Sequence, residues 1–192
     1  LSLSLSLSLS LSLSLQVCLR VLHELGAGAS LSVPDQDGSM PAHFAANKGD
    51  EGCLRALHAL GAGASLSATD HDGYTPAHCA ANLGHDGCLR ALHDLGAGES
   101  LSEADLQGRV PSHFAAQDGH VGCLRMLHNL GAGATLSLAD ADGATPAHLV
   151  TLEGHTECLR LLHELGAVDS AQYQGLLSEP SLIDLKIKRT WL

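Results

Sequence analysis

The chain has 192 residues, a formal net charge of −11 with histidine counted neutral, 45% hydrophobic residues and only 3% aromatic ones. That charge repels phosphate backbones and anionic lipid, so neither a nucleic acid nor a membrane surface is the expected partner. With so few rings, burial must come from Leu, Ala, Val and Cys, which implies small side chains and close contacts between elements.

Residues 1–15 alternate Leu and Ser without a break. Period-2 patterning formally reads as a strand, but this stretch is low in complexity and has no turn or second strand to pair with. It lacks the basic start and cleavage site of a secretory signal, and its apolar residues never run long enough to span a bilayer. It reads as a low-complexity extension without a functional role.

From Gln16, the string VCLRVLHELGAG is the second half of a unit that then recurs. Cys-Leu-Arg returns at Cys18, Cys53, Cys88, Cys123 and Cys158, and full copies open at Asp35, Asp70, Asp105 and Asp140. The period is 35 residues with no insertion. A fixed period in this range marks a stacked array in which no unit hides its apolar face alone. The predicted organisation is a partial copy at 16–34, full copies at 35–69, 70–104, 105–139 and 140–169, and a tail at 170–192.

Each full copy predicts a short helix, a turn, a longer helix and a loop. Pro41, Pro76, Pro111 and Pro146 open the first helix, where the missing N–H is harmless. Thr75 and Thr145 precede two of them as N-caps. Met40 and Val110 at the same position lack the hydroxyl, an expected cost of about 1 kcal/mol each. Gly49, Gly84, Gly119 and Gly154 end this helix. The second helix buries one stripe, as in Cys53, Leu54, Ala56, Leu57 and Leu60, and turns Arg55 outward. Gly61, Gly96, Gly131 and Gly166 stop it, and the loop turns again at pairs such as Asp72-Gly73. In the tail, Ser170 to Leu177 is weakly helical. Beyond Pro180, apolar and basic residues alternate around Leu185, Lys186, Ile187, Lys188 and Arg189. The tail reads either as a cap on the open end of the stack or as sequence outside the pattern.

Five of the six cysteines occupy one place in successive copies. Stacked helices lie roughly 8–10 Å apart, whereas disulfide Cα atoms approach within roughly 7 Å. These cysteines are therefore expected to be small buried residues in a reducing compartment, intracellular and either cytoplasmic or nuclear.

The succession Asp-x-x-Gly, Thr-Pro-x-His, Ala-Ala, Gly-His, apolar helix, Gly-Ala resembles the ankyrin repeat, most clearly in YTPAHCAANLGHDGCLRALHDLGA. The likeness runs from Gln16 to about Asp169. It implies an all-α, ankyrin-type helix-turn-helix solenoid with projecting hairpin loops, four full repeats plus one partial, whose fingers and first helices line a concave protein-binding face. It also implies that His43, His78, His113 and His148 bond the preceding Thr and neighbouring loop backbone, although Met40 and Val110 remove that hydroxyl from His43 and His113. Three departures stand out. The usual Leu after Pro is Ala42, Ala77, Ser112 or Ala147, an expected loss of about 2–5 kcal/mol per site if the space stays empty. The copies are two residues longer than the family norm, the excess falling in the Gly-Ala-Gly-Ala-Ser-Leu-Ser loop. Gly52, Gly87 and Gly122 stand where Glu is common, and only Glu157 keeps it. The array should fold but be less stable than better examples of the family.

Cys and His recur together, yet five residues along a helix is an offset of roughly 140°, so Cys88 and His93 diverge, and there is no C-x-x-C pair; no metal or other cofactor is expected. No nucleophile or orienting group recurs beside the motif histidines, so catalysis is not expected. The His58 and His93 column, with His85, His120 and His155, would make a pH sensor or simply tolerate half-buried helix positions; the second reading is preferred.

Positions that differ between copies are released from the demands of stacking and are candidates for recognition. They include Gln36, Ser39, His71, Tyr74, Leu106 and Arg109 on the fingers, and Asn47, Lys48, Asn82, Gln117 and Asp118 at the end of the first helix. Tyr74 and Arg109 are types enriched at binding hot spots and fall on adjacent fingers. The expected function is a non-enzymatic, monomeric protein-interaction scaffold whose partner the sequence does not identify, with a basic or mixed surface on that partner. Two rivals stand beside it: a fragment of a larger enzyme or channel, suggested by the absent initiator Met and the halved first repeat, and a degenerate array without function.

Overall fold

The computed structural model describes residues 31–178; the Leu-Ser tract, most of the partial copy and the tail beyond Ser178 lie outside the described residues. Four first helices run as α1 (Pro41–Asn47), α3 (Pro76–Asn82), α5 (Pro111–Gln117) and α7 (Pro146–Leu152). Four second helices alternate with them as α2 (Glu51–Ala59), α4 (Asp86–Leu92), α6 (Val121–Leu127) and α8 (Thr156–Glu164), and α9 (Ser170–Ser178) follows. The odd-numbered helices α1 to α7 pack side by side as an inner row and α2 to α8 as an outer row, each pair antiparallel across a glycine turn. The result is the two-layer helical solenoid that the 35-residue period predicts.

The core is one continuous cluster. Ala42, Ala45 and Ala46 and their counterparts face Cys53, Leu54 and Leu57 and theirs, all buried except Thr151, the last counterpart of Ala46, which is half-buried. The cysteines Cys53, Cys88, Cys123 and Cys158 are buried and unpaired, as the column spacing predicts. Burial pushes each of these thiols up to about 11 or 12. The helices end where expected, on left-handed glycines such as Gly49 (φ 69°) and Gly61 (φ 84°). A side chain at Gly87 would displace the flexible end of the Glu51 side chain of the preceding copy.

The long loop does what its length alone did not reveal. Gly63–Leu66, Gly98–Leu101 and Gly133–Ser137 form tight 3-10 turns packed against the inner helices. They deliver Leu66, Leu101 and Leu136 into the core, each at most 1% exposed. Ala42, Ala77 and Ser112 are fully buried beside them. Leu66, Leu101 and Leu136 thus add apolar volume to the core cluster that holds Ala42 and Ala77. The Ser112 hydroxyl donates to the Thr135 carbonyl at 2.8 Å, which satisfies the one polar member of that column.

The capping expectation is corrected. At all four inner helices the motif histidine caps the turn: its Nδ1 accepts from the backbone N–H of Met40, Thr75, Val110 or Thr145 at 3.0–3.2 Å. The Thr hydroxyls accept no bond from a helix N–H and instead lie 2.8–2.9 Å from the same Nδ1, to which they donate. Met40 and Val110 therefore lose no backbone cap, because none of the four copies takes its cap from the N-cap side chain.

Since Nδ1 accepts, Nε2 carries the proton and reaches forward one repeat. His43 donates to the Tyr74 carbonyl (2.8 Å), His78 to that of Arg109 (3.1 Å) and His113 to that of Ala144 (3.1 Å). The Gly-His histidines reach backward: His120 donates to the Asn82 carbonyl (3.0 Å) and His155 to that of Gln117 (2.9 Å). At the C-terminal end α9 packs on α7 and α8, with Tyr173 stacked on His163 at 4.6 Å. It thus caps the stack, the first of the two readings of the tail's start.

Candidate functional site

Each finger is built around its opening aspartate. Asp70 Oδ1 accepts from Asp72 N (3.0 Å) and Tyr74 N (2.8 Å), and Asp35, Asp105 and Asp140 repeat the pattern. The turn then needs a left-handed residue, met by Gly38, Gly73, Gly108 and Gly143. Successive fingers are tied by main chain: His71 N donates to Asp37 O, Leu106 N to Asp72 O and Ala141 N to Gln107 O at 2.9–3.1 Å. The fingertips are thereby held in register.

Gln36, His71 and Leu106 sit exposed on these tips, and Ser39, Tyr74 and Arg109 are half-buried at their bases. Asn47, Lys48, Asn82, Gln117 and Asp118 are exposed at the ends of the inner helices. Sequence reasoning missed the column between these two groups. In it Phe44 is 54% exposed and Cys79, Phe114 and Leu149 are half-buried, while Leu83, 44% exposed, stands at the helix-end position of Lys48. Phe44 lies three and four residues before Asn47 and Lys48, so all three share a face pointing away from Ala42, Ala45 and Ala46. That offset was the available signal.

Tyr74 and Arg109 do meet. Arg109 Nη2 donates to the Tyr74 hydroxyl at 2.6 Å and to Gln107 Oε1 at 3.2 Å. Its Nε and Nη2 both contact Asp105 Oδ2 at 2.9 Å. The guanidinium lies 4.6 Å from the centre of the Phe114 ring, and Tyr74 and His78 meet that ring edge-on at 5.4 and 5.6 Å. Arg109 is thus fixed from three sides. His78, beneath this cluster, is 2% exposed, and burial lowers its pKa to about 4.

Acidic side chains surround the face: Asp37, Asp72 and Asp142 at the fingertips, Asp118 and Glu153 at the helix ends, all exposed. Among the described residues no group of three or more His, Cys, Asp or Glu side chains converges as a metal site would need. No helix among them is long and apolar enough to cross a membrane. What the arrangement offers is a preset surface, with apolar side chains along its middle, acidic fingertips, and Asp118 and Glu153 at the helix ends of its C-terminal half.

Two family models match the chain: ankyrin repeats (3 copies) over residues 13–105, and ankyrin repeats (many copies) over residues 112–163. No curated protein matches it.

Proposed function

Because the chain belongs to the ankyrin-repeat family, whose repeats are general protein–protein interaction modules, we propose that it is a non-enzymatic, monomeric scaffold that holds a protein on the face formed by its fingers and inner helices. The observation that carries this reading is the combination of exposure and fixation on one face. Phe44, Leu83 and Leu106 are turned to solvent, while histidine bonds and fingertip bonds lock the backbone beneath them. A surface ordered before contact loses little conformational entropy on binding. The acidic fingertips favour a partner with basic residues beside apolar anchors, met inside the cell.

The residues proposed to touch it are Gln36, Ser39, Asn47, Lys48, His71, Tyr74, Asn82, Leu106, Arg109, Gln117 and Asp118, with Phe44 and Leu83 added by their exposure. Arg109 is a poor first target because Asp105 depends on it. The test is quantitative affinity capture from cells with the wild type, a Leu106→Asp/Gln117→Arg variant on this face, and an Arg90→Glu control on the outer helices. A protein retained by wild type and control but lost from the first variant supports the reading. Identical recoveries from all three overturn it.

A further inference from the structure

One place on this face carries a smaller side chain than its neighbours. The same register position holds Phe44 in α1, Cys79 in α3, Phe114 in α5 and Leu149 in α7. A half-buried thiol thus stands between two phenylalanines, on a helix packed side by side with both of theirs. The difference in bulk leaves a notch over Cys79, about one helix spacing of 8–10 Å across.

The two flanking rings are not equivalent. Phe114 is already packed: the Arg109 guanidinium lies 4.6 Å from its centre, and Tyr74 and His78 meet it edge-on. Phe44 makes no such ring or cation contact among the described residues and is 54% exposed. Four residues after Cys79, and so on the same side of α3, Leu83 is 44% exposed. The open apolar surface is therefore Phe44, the Cys79 thiol and Leu83, bounded on the far side by the filled cluster around Phe114. It suits a single large apolar side chain.

Charge gives this notch a direction. Lys48 follows Phe44 by one turn, is exposed, and makes no ion pair among the described residues. Arg109, the arginine of this face, is committed to Asp105. At the opposite border Asp37 and Asp72 are exposed on the first and second fingertips, and neither has a cationic partner among the described residues. An ammonium along one side and carboxylates along the other favour a ligand of the reverse polarity and fix its orientation.

We propose that the notch over Cys79 takes one large apolar side chain of the bound protein, from a segment that crosses the stack between fingertips and helix ends. An acidic residue of that segment meets Lys48, and a basic one meets Asp37 and Asp72. This rests on the reading of the face as the binding surface. Phe44 and Leu83 exclude water from the anchor, and the charges set which way the segment runs.

A random-peptide library displayed on phage and selected on the full chain supplies the probe. The enriched peptides are expected to carry a large apolar residue between an acidic and a basic one. As free fluorescent peptides they should bind Cys79→Phe more than about thirtyfold more weakly, the loss of a blocked central anchor. That variant gives α3 the ring that α1 and α5 already carry, so the circular-dichroism melt should be kept. Lys48→Glu should weaken binding about fivefold, and exchanging the peptide's acidic residue for lysine should recover it. If Cys79→Phe does not fold, the charge exchange decides alone. A selection without enrichment overturns the proposal, as do peptides without the charge pattern or peptides indifferent to both variants. Peptides lost only from Leu106→Asp/Gln117→Arg overturn the notch and keep the face, whereas failure of the face itself appears in the affinity capture.

Discussion

The Tyr74 hydroxyl accepts a 2.6 Å hydrogen bond from Arg109 Nη2 across thirty-five residues, one full period of the chain. The same guanidinium neutralises Asp105, whose side chain is wholly excluded from solvent. Breaking a buried pair by removing one member strands the other charge. Arg109→Ala should therefore cost about 3 kcal/mol, and Tyr74→Phe, which deletes one hydroxyl, about 1 kcal/mol. Urea unfolding midpoints of the two single variants and the double variant measure both costs and their coupling. Equal, small effects would refute the assignment of Arg109 as the charge partner of Asp105.

Stability should fall in acid through the motif histidines. Burial lowers the pKa of His78 from 6.5 to about 4 and lowers those of His113 and His148. The unfolded chain then binds more protons than the folded one between these values, so the contribution is complete above about pH 6.5 and is lost as pH drops toward 4. For His78 alone the full effect is about 3 kcal/mol. Chemical denaturation at a series of pH values should show the decline, and His78→Asn should flatten it. A midpoint constant from pH 7 to pH 5 would contradict this account.

The loop leucines should matter as much as any helix residue. Leu101→Ala and Leu136→Ala empty fully buried positions and should each cost about 2–5 kcal/mol. Ala77→Leu, which restores the family's usual residue, should now overpack a site already filled and cost about 1–3 kcal/mol. If Ala77→Leu stabilised the fold, the loop would not be what fills that space.

The thiols should be silent in the folded protein. Cys53, Cys88 and Cys123 are buried with pKa values pushed up to about 12, and Cys158 to about 11. Because the thiolate is the nucleophile, alkylation at pH 8 should mark these four only after denaturant is added. Peptide mass mapping gives the order, and prompt labelling of Cys88 in the native protein would be incompatible with the packing.

Much of this architecture was legible because a period repeats constraints. The recurring Pro and Gly mark the helix boundaries, and the Cys-Leu-Arg column marks the buried face of each outer helix. What a period hides is which of two residues performs a shared task. Thr75 looked like the cap, and His78 is the cap. Ala77 looked like a void, and the turn carrying Leu101, twenty-four residues later, packs on the same helix and buries that leucine. Variation between copies pointed to Tyr74 and Arg109 but passed over Phe44, because an apolar residue within a helical pattern reads as core until its neighbours take the inward positions. Only three-dimensional packing decides that assignment.

The forward and backward histidine bonds leave no interior repeat with a free boundary: His78 and His120 clasp the same neighbours from opposite directions. Under a stretching force applied at the two ends, such a chain gives way where a unit is clasped on one side alone. It should peel inward from its extremities, releasing roughly 120 Å of contour with each unit. The protein is in this respect a ratcheted tape, and its toughness resides in the seams between units.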